Sequence, residues 1–281
     1  MSLDVLNPIS MTSLNNLDLY PDQVIGKNIK VHTEDNGIPD LDGVKVAFIG
    51  LTENRNAFFP TSNYDLDSFR KSFYKLYPGK WGFDIADLGN LPDGETVTDT
   101  YFALTEICNE LQKINIVAVL VGGSHDMIYS VYKSYSNNKV LANILSIDNQ
   151  FDFSQDEELI SGRSYMSRII MEDPNFLHNY TNLGYQSFFI AQQELDLMDK
   201  LFFESVRLGK ILDDVTISEP YLRDANIVGV DMKSLSSIAT GNTSYINPNG
   251  IDSRTICSLS RYAGISDKVS SFGLFELPST N

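Results

Sequence analysis

The sequence predicts a three-layer α/β/α protein built on a doubly wound, mostly parallel sheet. Two observations predict it: short apolar runs rich in β-branched residues recur along the 281-residue chain, and amphipathic helical segments fall between or beside them. A hydrophobic content of 42% is enough to bury a sizeable core. We expect a single α/β domain over residues 44–281, preceded by a polar, turn-rich N-terminal arm over residues 1–43.

The apolar runs are predicted as strands and the amphipathic segments as helices. Strands are expected at 44–50, 83–88, 116–121, 140–147, 227–230 and 269–275. Helices are expected at 65–77, at 97–113 with Thr98 as a candidate N-cap, from about 125, at about 191–206 and at 252–262. In a parallel sheet of this kind, ligands bind beyond the carboxyl ends of the strands.

The charge of the chain narrows the class of partner. Lys and Arg number 21 against 37 Asp and Glu, a formal net charge of −16, which disfavours nucleic acid and membrane surfaces and favours small molecules or metal cations. Cys108 and Cys257 lie in apolar, helical contexts, as in a reduced protein. No apolar run reaches the roughly eighteen residues that a membrane span needs. We therefore expect a cytoplasmic protein with a small-molecule ligand, and a homo-oligomer is left open.

Polar residues follow several of the predicted strands directly. His125, Asp148, Asp231 and Glu276 each lie just past the end of one, and Asp152 follows Asp148 by four residues. Each alone is more often structural: a lone histidine is usually a hydrogen-bonding residue, and two such aspartates are usually an acidic loop. Together they supply the carboxylate oxygens and the imidazole nitrogen that Mn²⁺ accepts. The set therefore indicates a candidate metal site.

These residues belong to motifs that resemble a known family. In order they read Gly-Gly-Ser-His-Asp (122–126), Asp-Asn-Gln-Phe-Asp (148–152), Asp-Met-Lys (231–233) and Phe-Glu-Leu-Pro (275–278). The arginase, or ureohydrolase, superfamily carries Gly-Gly-Asp-His-Ser, Asp-Ala-His-Xaa-Asp, Asp-Xaa-Asp and Glu-Xaa-Asn-Pro in the same order. Segments 183–186, 219–223 and 260–264 are similar to its formimidoylglutamase-like branch. The resemblance extends from about residue 44 to the C-terminus.

The resemblance implies an arginase-like fold and a metal-dependent chemistry. Enzymes of the superfamily hydrolyse a C–N bond of linear amidines, such as arginine, agmatine, guanidino acids or N-formimidoyl-glutamate, with two Mn²⁺ ions. By resemblance, His125, Asp148, Asp152 and Asp231 match the ligands of one ion. Glu276 matches the glutamate that orients the substrate. Tyr165 stands where the family has a proton-shuttling histidine, and a tyrosine with a pKa of about 10 is a poor shuttle.

The second metal site departs from the family pattern. Its two specific ligands, a histidine and an aspartate, are replaced here by Gln150 and Lys233. A protonated lysine cannot ligate a cation, and its charge beside Asp148 and Asp231 would repel one. We expect one Mn²⁺ ion at most, with none as the alternative, and the Lys233 ammonium in the space of the second ion.

Two hypotheses about function remain. In the first, the chain keeps the superfamily scaffold with weak or no amidinohydrolase activity, as a pseudoenzyme would. In the second, it is an active mononuclear enzyme that acts on N-formimidoyl-glutamate or a guanidino compound, with Lys233 replacing the second ion electrostatically. A dinucleotide-binding enzyme is disfavoured because Gly-Xaa-Gly-Xaa-Xaa-Gly follows none of the predicted strands.

Overall fold

A single parallel sheet organises the structure, a computed structural model that describes residues 2–15, 17–57, 65–154, 160–241 and 245–278. Within these residues the sheet has nine strands in the order β1-β3-β2-β4-β9-β8-β5-β6-β7, and each neighbouring pair is parallel. The strands are β1 (Lys30–Val31), β2 (Val44–Leu51), β3 (Asp84–Leu91), β4 (Val117–Gly122), β5 (Ala142–Ile147), β6 (Leu177–Tyr185), β7 (Glu204–Arg207), β8 (Ile227–Asp231) and β9 (Ser271–Phe275).

Helices cover both faces of this sheet, which confirms the predicted fold class. They are α1 (Ile25–Asn28), α2 (Leu66–Phe73), α3 (Val97–Lys113), α4 (Met127–Asn137), α5 (Tyr165–Ile170), α6 (Gln192–Lys200), α7 (Leu208–Asp213), α8 (Glu219–Asp224), α9 (Ser237–Thr240) and α10 (Ser253–Gly264). Short 3₁₀ turns lie at Ser2–Val5, Met11–Leu14, Leu17–Leu19, Val215–Ser218 and Met232–Ser234. Among the described residues, these helices include none with the length and apolar character to cross a membrane.

Two details of the predicted elements are wrong. Thr96, and not Thr98, is the N-cap of α3: its backbone is extended, its side chain accepts from the Asp99 backbone N–H, and Asp99 returns the bond in a capping box. The helix expected at about 191–206 ends at Lys200, and the chain then enters strand β7. Tertiary pairing with β6 overrides the weak local signal in this short segment.

The residues before β2 pack against the rest of the chain. Leu3 and Leu6 are buried in the same apolar cluster as α3 and α4, and Ile9 and Ile25 pack with Tyr74 in a smaller cluster beside α2. Strand β1 pairs with β3 at one edge of the sheet. This segment therefore covers that edge instead of standing apart from the core.

The strand order sets the position of the candidate site. β4, β9, β8 and β5 are consecutive neighbours in the sheet, although β6 and β7 separate β4 and β5 from β8 and β9 along the chain. Because all four run in the same direction, their carboxyl ends meet at one edge. The polar residues that follow them are therefore brought side by side.

Candidate metal centre

The structure brings the sequence-predicted polar residues together in one buried cluster. His125 follows β4, Asp148 follows β5, Asp231 ends β8 and Glu276 follows β9. With Asp152, all of these residues are at most 5% exposed. So many ionisable groups out of contact with water are costly unless cations or hydrogen bonds compensate them.

Unusual backbone conformations aim several of these side chains. Gly122 and Gly123 turn the chain at the end of β4 with φ of 93° and 77°, a conformation that glycine adopts without strain. Asp152 and Glu276 have φ of 57° and 54°, although a non-glycine residue pays a strain energy there. Strain of this kind at two carboxylates of one site is typical of residues held in place for function.

One half of the cluster, which we call the triad, consists of His125, Asp148 and Asp152. His125 Nδ1 lies 3.2 Å from Asp148 Oδ2 and 3.1 Å from Asp152 Oδ2. All three atoms are buried and make no hydrogen bond with the described residues. One ligand atom from each residue lies within 4.8 Å of the other two. An imidazole nitrogen and two carboxylate oxygens that converge in this way fit a divalent cation such as Mn²⁺.

The other half, which we call the lysine bridge, consists of Asp231, Lys233 and Glu276. Lys233 Nζ lies 2.8 Å from Asp231 Oδ2 and 3.2 Å from Glu276 Oε2. The 3₁₀ turn after β8 places it there, because Asp231 caps that turn by accepting from the Lys233 backbone N–H at 2.7 Å. Glu276 Oε1 also accepts from the His125 backbone N–H at 3.3 Å. The fourth predicted metal ligand, Asp231, is thus ion-paired to Lys233, with Oδ2 at 3.9 Å from His125 Nδ1.

The electrostatics of the two halves follow from burial and ion pairing. Burial alone would lower the pKa of His125, but pairing with Asp148 and Asp152 raises it to about 10. Burial, reinforced by the neighbouring Asp152 charge, raises the pKa of Asp148 to about 6. Burial would also lower the pKa of Lys233, but Asp231, Glu276 and Asp148 outweigh it and hold that pKa above its usual value. Lys233 is therefore a permanent cation at neutral pH.

The two remaining predicted residues border the cluster. The Gln150 backbone N–H donates to Asp148 Oδ1 at 3.0 Å, and Gln150 lines a cavity of about 490 Å³ together with Asp152, Ser154 and Arg163. Tyr165 is fully buried. Its ring lies edge-on to His125 with ring centroids 5.0 Å apart, and its hydroxyl hydrogen-bonds to Ser146 Oγ at 2.9 Å. Burial raises the pKa of Tyr165 well above 10, so its hydroxyl stays protonated.

Sequence reasoning missed the residues that hold the loops around Glu276. Asn56 donates to Asp126 Oδ2 at 3.2 Å and to the Ile160 carbonyl at 2.7 Å. Its own carbonyl accepts from the Gly162 N–H at 3.1 Å. A Cβ at Gly162 would lie 3.0 Å from Glu276 Oε1, so the loop backbone packs closely on this carboxylate. Asn56 lies in a polar loop after β2. Its position relative to the other polar residues of the sequence does not distinguish it from an ordinary loop residue.

Known proteins resemble this chain in fold more than in sequence. No protein-family model matches the sequence. A segment of 145 residues is 27% identical to formimidoylglutamase from Staphylococcus carnosus (strain TM300), covering 50% of this chain and 44% of that protein. The chain therefore matches less than half the length of this curated relative.

Solved structures cover nearly all of the chain. Formimidoylglutamase from Bacillus subtilis subsp. subtilis str. 168 has a TM-score of 0.76 at 15% identity, covering 91% of this chain and 84% of that one. Formiminoglutamase from Trypanosoma cruzi, solved with Mn²⁺, has a TM-score of 0.77 at 11% identity, covering 91% and 90%. Agmatine ureohydrolase of Thermoplasma volcanium has a TM-score of 0.71 at 15% identity, covering 93% and 88%.

These similarities define the class by its fold. The chain has the arginase-like α/β fold, which confirms the sequence resemblance at the level of the fold. Within that class it is similar to formimidoylglutamases in both sequence and structure. It carries a candidate metal-binding triad at the edge of the sheet where such folds bind ligands.

Proposed function

We propose that this chain is a ureohydrolase-superfamily protein that binds at most one Mn²⁺ ion and has weak or no amidinohydrolase activity. The ion would be held by His125, Asp148 and Asp152, with Asp231 as the fourth ligand-type group. The lysine bridge carries the proposal: Lys233 Nζ lies within ion-pairing distance of both Asp231 and Glu276. In this proposal, the Lys233 ammonium takes the place of the second ion of the related enzymes.

Charge balance supports this exchange. A divalent ion together with one carboxylate ligand has a net charge of plus one, and so has a lysine ammonium. Exchanging the family's second ion, its aspartate and its neutral histidine for Lys233 and Gln150 leaves the charge of the cluster unchanged. The buried carboxylates thus keep a counter-cation. Random loss of metal ligands would not be expected to replace them with a residue of the matching charge.

The residues present also support a loss of activity. When bound, a divalent ion supplies a nucleophile by lowering the pKa of a coordinated water. A protonated Tyr165, hydrogen-bonded to Ser146, is badly suited to move protons at neutral pH. Glu276, which would orient a cationic substrate, is ion-paired to Lys233. Each tenfold loss of rate corresponds to about 1.36 kcal/mol of barrier.

A second candidate function is supported by the triad and its neighbouring cavity. The triad atoms are buried and make no hydrogen bond with the described residues, and Asp152 also borders the cavity of about 490 Å³. One bound ion beside a small-molecule cavity is compatible with an active mononuclear hydrolase of N-formimidoyl-glutamate or a guanidino compound. A cytoplasmic location and a homo-oligomer stay predictions.

The test is the metal content of the purified chain. After incubation with excess Mn²⁺ and removal of unbound ion, elemental analysis should find about one ion per chain. The double variant Lys233→Asp with Gln150→His should bind nearly two, whereas the matched variant Lys268→Asp with Gln23→His, at two exposed positions, should stay at one. Two ions in the wild-type chain would refute the proposal. Rapid hydrolysis of N-formimidoyl-glutamate at one ion per chain would select the second candidate.

A further inference from the structure

The carboxylate of Glu276 is already engaged by the protein. Oε2 lies 3.2 Å from the Lys233 ammonium, and Oε1 accepts from the His125 backbone N–H. The Gly162 backbone packs against Oε1, and the residue is only 5% exposed. A cationic amidine would need this carboxylate as its counter-charge. It would have to share Glu276 with a resident ammonium.

Such sharing is electrostatically unfavourable. A cation hydrogen-bonded to the same carboxylate would lie about 5 Å from Lys233 Nζ, and two like charges at that separation repel strongly in a partly buried site. Lys233 cannot leave at low cost, because departure would strip Asp231 and Glu276 of their counter-cation. The lysine bridge therefore selects against cationic ligands.

Anionic groups are also disfavoured at this position. Asp148, Asp152, Asp231 and Glu276 bring four carboxylates into the cluster. One divalent ion and Lys233 together supply only three positive charges. A ligand carboxylate would meet this excess of negative charge. A cation would offset this excess, but the carboxylate it would pair with, Glu276, already holds the Lys233 ammonium at 3.2 Å. A neutral group with a polar acceptor meets neither the excess negative charge nor the ammonium as a like charge.

We propose that the site takes a neutral carbonyl ligand, such as a formamide or another carboxamide, in preference to a cationic amidine. This inference rests on the proposed function, because it assumes that Lys233 occupies the place of the second ion. A carbonyl oxygen accepts hydrogen bonds from an ammonium or an amide N–H, and Lys233 and Gln150 are the residues here that carry such donors in place of metal ligands.

The neighbouring cavity has the size for such a ligand. Its volume of about 490 Å³ lies in the range of small-molecule pockets. It meets the cluster at Gln150 and Asp152, and its other lining residues are of mixed character: polar Ser154 and Gln193, apolar Phe153, Phe189, Ala191 and Leu197, and charged Arg163 and Glu194. The cavity therefore has room for a small polar molecule beside the cluster, and the preference for a neutral group rests on the lysine bridge.

The experiment uses two matched pairs of probes on the full chain equilibrated with Mn²⁺. N-formyl-L-glutamate and N-formimidoyl-L-glutamate share a skeleton and differ in a neutral carbonyl against a cationic amidinium. Acetamide and acetamidinium repeat the comparison without the glutamate skeleton. Calorimetry for the first pair and ligand-observed NMR for the second should show about tenfold or more tighter binding of each neutral member. Equal affinity, tighter binding of the cation, or no binding of any probe would overturn the inference.

Two variants test whether the charge of Lys233 causes the preference for the neutral ligand. Lys233→Gln keeps hydrogen-bond donors but removes the charge, and should narrow the affinity ratio of each pair by about tenfold. Lys233→Arg keeps the charge and should preserve the ratio. If Lys233→Gln does not fold, the wild-type ranking still decides. Metal content measured on the same samples separates the two proposals: two ions per chain refutes the proposed function, whereas one ion with an amidine preference refutes only this inference.

Discussion

The triad and the lysine bridge are two halves of one buried cluster that satisfy their charges in opposite ways. In the triad, His125 Nδ1, Asp148 Oδ2 and Asp152 Oδ2 face one another without a hydrogen-bond partner among the described residues. In the lysine bridge, Lys233 Nζ contacts both Asp231 and Glu276. The triad holds only a proton on His125, which a cation from outside can displace, whereas the lysine bridge carries its cation permanently on the chain.

The difference shows what a buried lysine can do at the edge of a parallel sheet. Both halves use carboxylates that follow neighbouring strands, so the backbone frame is the same on either side. They differ in the cationic partner of the carboxylates, which is the His125 imidazole in the triad and the Lys233 ammonium in the lysine bridge. A covalently attached ammonium cannot dissociate, whereas a bound ion is in equilibrium with solution. Ion dependence should therefore be confined to the triad.

The largest change in stability is expected when the lysine bridge is broken. Lys233→Met leaves Asp231 and Glu276 buried without their counter-cation, which should lower the free energy of unfolding by about 3–5 kcal/mol. Urea denaturation followed by circular dichroism measures the change. The matched variant Lys268→Met removes an ammonium from an ion pair with Asp224 whose side chains are 52% and 59% exposed, and should cost less than about 1 kcal/mol. Equal losses in the two variants would contradict the distinct role of Lys233.

A change in stability of intermediate size is expected when Mn²⁺ binding to the triad is removed. At a free Mn²⁺ concentration of one hundred times Kd, binding to the native state should stabilise the wild-type chain by about 2.7 kcal/mol. Asp152→Asn should abolish this ion-dependent rise in melting temperature, because it removes one of the three converging ligand atoms. Asp213→Asn, at an exposed position, should keep the rise in full. A rise that survives in the Asp152 variant would place the ion elsewhere.

The smallest expected effect is the pH dependence of the metal-free triad. The pKa of His125 is raised from its ordinary 6.5 to about 10, so the folded state holds this proton more tightly than the unfolded state. The resulting stabilisation is complete below pH 6.5 and is lost as the pH rises towards 10, by at most about 1.4 kcal/mol per pH unit. Chelator-treated protein should therefore lose stability between pH 7 and pH 8.

His125→Gln should flatten this decline, and the exposed His178→Gln should leave it unchanged. Denaturation curves of the three proteins at the two pH values supply the comparison. A decline of the same steepness in His125→Gln would show that the imidazole does not titrate in the way the ion pairs imply.

Many of the strands and helices could be predicted from the sequence, because the patterns that indicate them are local. Apolar runs with β-branched residues identified β2, β4, β5, β8 and β9, and the polar residues directly after them identified the candidate site. β6 was missed, because its polar residues Asn179, Thr181 and Asn182 mask a strand whose burial depends on neighbours distant in sequence. Similarly, the helix cap at Thr96 depended on a reciprocal bond with Asp99 that position alone does not reveal.

The sequence by itself determined which chemical groups stand at the strand ends, Gln150 and Lys233 among them. Only the tertiary structure decided which of those groups face one another. β9 lies between β4 and β8 in the sheet, although four strands separate it from β4 along the chain, and this order brings Glu276 to both the His125 backbone and Lys233. Strand order is a non-local property, set by burial of the whole sheet between its helices, so spacing along the chain cannot reveal it.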